Sequence, residues 1–147
     1  MKREELTEAI QDARRERGLT WKQLAEKVGR SPVWTTAALL GQMKMAREEA
    51  ERAGKALGLD EQAIALLQTV PTRGESMDTV PVDPTIYRFY ELLQVYGPTW
   101  KELIHEEFGD GIMSAIDFEM SLERQPDPKG DRVKIVMSGK FLPYKTY

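Results

Sequence analysis

The fold is decided by the stretch Pro84-Thr-Ile-Tyr-Arg-Phe-Tyr-Glu-Leu-Leu-Gln-Val-Tyr-Gly97. Pro84 presets the backbone for the start of a helix, because its φ is already close to the helical value. The apolar residues that follow are spaced as on one broad helical face: Ile86, Phe89, Leu92, Leu93 and Tyr96. This pattern predicts a helix over 86–96 that is buried in the protein or at an interface.

Arg88 and Glu91 are the only charged residues of this helix. Being three residues apart, they lie about 60° from each other around the axis and point to one side. The commoner explanation of such a pair is an exposed intrahelical salt bridge, which is worth about a few tenths of a kcal/mol. If the pair is buried among aromatic side chains, its desolvation is costly, and a chemical role explains it better than stability does.

Gly97-Pro98 is predicted to break the chain after this helix. Thr99 and Glu102 then form the pattern of a capping box for a second helix over 100–108. We expect the only histidine, His105, to be a solvated or supporting residue rather than a catalytic base, because no Ser-His-Asp arrangement can be completed around it.

Beyond the turn Gly109-Asp-Gly111 the apolar residues alternate with polar ones, which predicts a strand with one buried face: Ile116, Phe118, Met120 and Leu122. The loop 125–131 and a return strand from Val133 complete a β-hairpin. A lone hairpin is marginally stable in water, so we expect this one to pack against the same element of a second subunit. Ser114, near the start of the strand, is uninformative by itself.

Five short amphipathic helices are predicted in the first seventy residues, over 4–17, 21–28, 33–40, 45–57 and 63–67. Thr20 and Gln23 form a capping box for the second, and Gly29 makes the turn to the third. In the fourth helix the pattern places four residues inward, namely Ala46, Ala50, Ala53 and Leu57, and four outward, namely Arg47, Glu48, Glu49 and Arg52.

The predicted organisation is therefore α+β. Residues 1–70 form a five-helix lobe with helix-turn-helix-like geometry, and residues 71–84, with three prolines and a glycine, form a linker. Residues 85–147 form a small α+β domain with a β-hairpin, which we expect to be both the catalytic and the dimerisation domain.

The helix-turn-helix pattern makes a transcription factor the principal alternative function. However, the third helix offers Val33-Trp-Thr-Thr-Ala-Ala38 where a DNA reader would place cations and amides. The lobe has 12 Lys and Arg against 11 Asp and Glu, which gives a formal charge of about +1. This charge is too small for strong binding to the phosphates of DNA. DNA binding is therefore not favoured. A scaffold protein that has kept the fold without activity is a third possibility.

The composition of the chain argues against several further classes of protein and of metal site. A net charge of −3 argues against a protein that coats nucleic acid or an anionic membrane. The sequence contains no apolar run long enough to span a bilayer and no signal peptide, which predicts a cytoplasmic protein. With no cysteine and one histidine, thiolate and histidine-rich metal sites are excluded, and the aspartates do not recur at calcium-loop spacing.

The C-terminal half resembles the cyanase family, also called cyanate hydratase or cyanate lyase. The resemblance rests on Asp83–Gly97, Lys101–Phe108, Gly109–Phe118 and the ending Gly139-Lys-Phe-Leu-Pro143, and it extends more loosely over Ala37–Gln42 and Leu66–Gln68. It implies that cyanate and bicarbonate are converted to ammonia and carbon dioxide, with bicarbonate as a co-substrate and no metal or organic cofactor. The family's catalytic arginine, glutamate and serine fall on Arg88, Glu91 and Ser114.

The resemblance further implies a decamer of five dimers with active sites shared between subunits. An argument from charge agrees with this. Two anions about 4 Å apart repel each other by about 1 kcal/mol in water and about 4 kcal/mol at an effective dielectric of about 20. One chain brings one arginine to the motif, whereas two symmetry-related copies bring two guanidiniums that can each hold an anion.

Overall fold

The computed structural model describes residues 1–74 and 79–147, and the chain divides into two compact units, Met1–Glu75 and Ser76–Tyr147. The division falls inside the interval 71–84 that the sequence predicts as a linker. Of that linker, residues 75–78 lie outside the described residues. The assignment of separate tasks to the two units stays a prediction.

The first unit consists of five helices: α1 (Arg3–Glu16), α2 (Trp21–Val28), α3 (Pro32–Leu39), α4 (Arg47–Leu57) and α5 (Glu61–Leu67). All five were predicted to within two residues at either end. Their inward faces form one core, whose largest fully buried side chains are Leu6, Ile10, Leu24, Val28, Thr35, Leu39, Met45, Leu57 and Leu67. This core stabilises the unit because each helix buries one apolar stripe against the others.

The predicted capping box of α2 is confirmed. The backbone N–H of Gln23 donates to the Thr20 hydroxyl at 3.1 Å, and the backbone N–H of Thr20 donates to the Gln23 amide oxygen at 2.8 Å. At the other end Gly29 adopts a left-handed φ of 82°, and its N–H donates to the Ala25 carbonyl. These local signals fix the helix-turn-helix-like arrangement of α2 and α3.

Two predictions for α4 are wrong. Ala46 is exposed and Glu49 is buried, with about 5% of its surface accessible. The Glu49 carboxylate turns back to accept the N–H of Ala46 at 2.8 Å and the Nε–H of Arg30 at 2.5 Å. The sequence pattern places residues by hydrophobicity and therefore missed a glutamate that is buried to cap its own helix and bind Arg30 of the α2–α3 turn.

The second unit begins with α6 (Pro84–Phe108), a single helix of 25 residues that starts at the cap Asp83. The predicted break at Gly97-Pro98 is therefore wrong, as is the second helix start at Thr99. Proline in a helix interior removes one backbone hydrogen bond, but the remaining turns on both sides hold the helical conformation through it. A proline is a probable helix boundary rather than a certain one.

The hairpin consists of β1 (Gly111–Gln125) and β2 (Arg132–Pro143), which pair antiparallel. β1 is longer than predicted, since it starts five residues before Ile116, and β2 starts one residue before the predicted Val133. The register changes between Met113, which pairs with Phe141, and Phe118, which pairs with Gly139. Residues 114–117 of β1 thus lie opposite Lys140 alone and form a β-bulge.

The apolar residues of the second unit are largely exposed in the single chain. None of the residues of α6, all of which the structure describes, is buried. The face of β1 that was predicted to be buried is largely exposed in the single chain, because Ile116 is 98% exposed and Met120 and Leu122 are exposed as well. A helix and two strands offer too little surface to enclose a core. Among the described helices, none has the length and hydropathy required to cross a membrane.

We expect Glu49→Gln to lower the free energy of unfolding of the helical unit by about 1–2 kcal/mol at neutral pH, because a charged acceptor is lost. Burial by itself raises the pKa of Glu49, but the hydrogen bonds from Ala46 and Arg30, with the charges of Arg30 and Arg52, lower it below the ordinary glutamate value. The stabilisation is therefore present above the unfolded-state pKa of about 4.3 and is lost as the pH falls through the lower folded-state value.

Chemical denaturation at several pH values, followed by circular dichroism, measures this effect. Glu48→Gln is the matched control, because Glu48 is exposed on the same turn. Equal stability of the Glu49→Gln variant and this control at pH 7 would contradict the role of Glu49.

Candidate functional site

Arg88 and Glu91 lie on α6, and the helix brings them together as the sequence predicts. Arg88 Nη1 is 3.4 Å from Glu91 Oε2, an i, i+3 ion pair. The Arg88 guanidinium also lies over the ring of Tyr87, 5.9 Å from its centroid. The pair is therefore held on one side of the helix with an aromatic neighbour.

The Arg88–Glu91 pair is exposed in the single chain, so its helix is not buried within the protein, which was one of the two predicted alternatives. The side chains of Arg88 and Glu91 are 69% and 51% exposed. In this state the pair is solvated, and it contributes little to stability. The same exposure leaves most of the donors of the Arg88 guanidinium available, and a planar guanidinium binds carboxylate-like anions through two parallel hydrogen bonds.

Ser114 is positioned by the β-bulge of β1 and is nearly buried, with 4% of its surface accessible. Its hydroxyl oxygen accepts two backbone hydrogen bonds, from the N–H of Ile116 at 3.0 Å and from the N–H of Asp117 at 2.9 Å. A hydroxyl has two acceptor lone pairs and one donor proton. Because both lone pairs are occupied, the hydroxyl of Ser114 has only its proton to offer to a further partner.

The structure does not bring Ser114 to the charged pair within one chain. In the described parts of the chain, no hydrogen bond or ion pair links Ser114 to Arg88 or Glu91. The contacts between helix and hairpin lie at the end of α6, where the rings of Phe108 and Phe141 stack at 5.2 Å. Glu91 precedes Phe108 by about 25 Å along the helix axis, at 1.5 Å per residue. The three predicted residues therefore form two separate groups.

His105 has a structural position that the sequence did not indicate. It is half-buried in the last turn of α6, and its Nε2 lies 3.4 Å from the carbonyl oxygen of Gly111, the first residue of β1. Its Nδ1 lies 3.4 Å from the ammonium of Lys101. Only the i, i+4 spacing of Lys101 and His105 could have suggested this arrangement. His105 thus links the end of the helix to the strand that carries Ser114.

The described residues contain no group of three or more His, Cys, Asp or Glu side chains that could hold a metal ion. The chemistry available to the predicted site residues is that of one guanidinium, one carboxylate and one hydroxyl. These groups can bind small anions, offset negative charge and pass protons.

Two family models match the chain and together cover nearly all of it. The model described as "Cyanate hydratase, N-terminal" matches residues 3–71, and the model described as "Cyanate lyase C-terminal domain" matches residues 78–146. The division between the two structural units falls in the interval between the two matches.

Full-length relatives and a solved structure agree with these matches. The chain is 64% identical to the cyanate hydratase of Ralstonia pickettii (strain 12J) and 61% identical to that of Dechloromonas aromatica (strain RCB), over 147 residues and 100% of each chain in both comparisons. A crystal structure of cyanase from T. urticae is 38% identical with a TM-score of 0.82, covering 94% of this chain and 96% of that chain.

Proposed function

The chain belongs to the cyanate hydratase family of lyases over its whole length, and on that premise we propose that it converts cyanate and bicarbonate to ammonia and carbon dioxide. The observation that carries this proposal is the full-length relationship, together with Arg88, Glu91 and Ser114 at the positions that the family resemblance assigns to catalysis. The cytoplasmic location predicted from the sequence belongs to the same proposal.

The proposed reaction begins with two anions. An oxygen of bicarbonate attacks the carbon of cyanate, and the cyanate nitrogen takes up a proton. Cleavage of a C–O bond in the bicarbonate-derived part releases carbon dioxide and leaves carbamate, which is protonated and separates into ammonia and a second carbon dioxide. None of these steps needs an electron carrier, and the fixed positive charge of Arg88 can offset the charge of the anions, so we propose that no metal or organic cofactor takes part.

Arg88 is proposed to bind and polarise the anions, because its guanidinium is fixed in charge and is exposed enough to form a two-pronged contact. Glu91, 3.4 Å away, orients Arg88 and assists proton transfer to the nitrogen that leaves as ammonia. Ser114 donates its hydroxyl proton to an anion, since its oxygen already accepts two backbone N–H groups.

We propose that the complete site is shared between subunits. Within one chain the charged pair and Ser114 are separate, and a single Arg88 faces two anions. The second unit also exposes apolar side chains along α6, among them Phe89, Leu93, Tyr96 and Leu103. Exposed apolar patches of this kind are typical of protein–protein interfaces. A symmetric dimer would cover them and would bring a second Arg88 to the site, and the decamer implied by the resemblance would be built from such dimers.

We expect Arg88→Leu, Glu91→Leu and Ser114→Ala each to lower cyanate-dependent ammonia release by at least about 100-fold. Each change removes a charge or donor that acts on the reacting anions. Light scattering should find the variants assembled as in the wild type. Arg47→Leu is the matched control, because Arg47 forms an exposed intrahelical ion pair with Glu51 in the first unit. Near-normal turnover in assembled Arg88→Leu would defeat the assignment.

Mixed oligomers test the shared site. We expect a mixture of Arg88→Leu and Ser114→Ala chains, dissociated and reassembled together, to recover part of the activity that each variant lacks alone. Recovery follows because some sites would then receive an intact Arg88 from one subunit and an intact Ser114 from another. If the mixture stays as inactive as its separate components after verified exchange of subunits, a site that combines Arg88 of one subunit with Ser114 of another is contradicted.

Bicarbonate dependence separates this reaction from simple hydrolysis. In buffer freed of carbon dioxide we expect ammonia release to fall to a small fraction of its rate, and to be restored by added bicarbonate. The reason is that bicarbonate, rather than water, attacks the cyanate carbon. Equal rates with and without bicarbonate would identify a cyanate hydrolase instead.

A further inference from the structure

The β-bulge that carries Ser114 closes against a glycine of the opposite strand. Phe118, the first residue of β1 after the bulge, pairs with Gly139 of β2. A Cβ atom at Gly139 would lie 2.4 Å from the carbonyl oxygen of Ser114 and 2.6 Å from Cγ of Met113. Real Cβ atoms essentially never approach other heavy atoms this closely, so any larger residue would force a shift in the structure.

The need for glycine at this position comes from space and not from backbone conformation. Gly139 is not among the glycines with positive φ. Its nearest neighbour is a backbone atom, which cannot move aside by a change of rotamer as the end of a flexible side chain can. The backbone atom that would have to move belongs to Ser114 itself.

We propose that Gly139 is a positioning residue that acts through Ser114. This inference rests on the proposed function, in which Ser114 donates its proton to a substrate anion. The missing side chain of Gly139 lets the two strands approach closely at the bulge, so that the Ser114 oxygen sits within reach of the N–H groups of both Ile116 and Asp117. Those two bonds fix the direction left to the hydroxyl proton.

A methyl group at Gly139 would push the backbone of Ser114 away from β2. The hydroxyl proton would then point in a different direction, and at least one of the hydrogen bonds from the N–H groups of Ile116 and Asp117 would be lost. Displacement of a catalytic group by about 1 Å can cost about 100-fold in rate. We therefore expect Gly139→Ala to lower kcat about 100-fold, with the same division of its effect between kcat and KM as in Ser114→Ala.

Gly111→Ala is the matched control in the same hairpin. Its Cβ would lie 2.4 Å from the backbone carbonyl oxygen of Leu142 and 2.5 Å from the ring of Phe141, a comparable clash that does not touch Ser114. At matched losses of melting temperature, we expect Gly139→Ala to lose at least about tenfold more turnover than Gly111→Ala.

A second variant keeps the test decisive if Gly139→Ala folds poorly. Met113→Ala combined with Gly139→Ala relieves the side-chain clash and leaves the clash with the Ser114 carbonyl. Turnover should stay low in this double variant relative to Met113→Ala alone. Restored turnover would overturn the proposal. Failure of both Gly139 variants to assemble while Gly111→Ala assembles would also overturn it, because Gly139 would then support the fold.

Affinity for azide, a linear triatomic anion like cyanate, supplies a readout that needs no turnover. Calorimetry should find that Gly139→Ala weakens azide binding in the otherwise native chain but not in the Ser114→Ala background, because the two changes act on one group. Equal weakening in both backgrounds would overturn the role of Gly139. Full turnover in Ser114→Ala would instead overturn the assignment of Ser114, and with it the proposed site, so the two failures are distinguishable.

Discussion

The second unit cannot bury its own apolar surface, and both the proposed association of subunits and the proposed shared site depend on this constraint. One helix and one hairpin touch at the last turn of the helix, where Phe108 stacks on Phe141 and His105 contacts the Gly111 carbonyl. Most large apolar side chains of α6 stay exposed. Burying apolar surface is the main favourable term in folding, so a unit that leaves most of its large apolar side chains in water is poorly stabilised as a single chain. The same exposure places Arg88 and Glu91 where a second chain could cover them.

The two units differ in how far local sequence signals could predict them. In the first unit, caps such as Thr20 with Gln23 and stops such as Gly29 act within one turn of helix, and the helices were predicted closely. Glu49 was placed on the wrong face because its partners, the Ala46 N–H and Arg30, determine its position, and hydrophobic periodicity contains no information about hydrogen bonds.

The second unit was predicted correctly in type and incorrectly in detail. The hairpin and the helix over Arg88 and Glu91 follow from periodicity, and the three site residues follow from family resemblance. The bulge at Ser114 does not, because it depends on the register between two strands and on Gly139, 25 residues further along the chain. No local pattern reports a register shift, whereas a turn or a cap is encoded in neighbouring residues.

Pro98 makes α6 easier to bend near its middle than a helix of the same length without proline. Without an amide hydrogen at this residue, the carbonyl of Gln94 has no donor one turn later, and Gly97 beside it brings no side chain to stiffen the turn. Bending therefore costs least near the middle of the helix. The segment with the charged pair can change its direction relative to the segment fixed to the hairpin, while each segment keeps its own internal geometry.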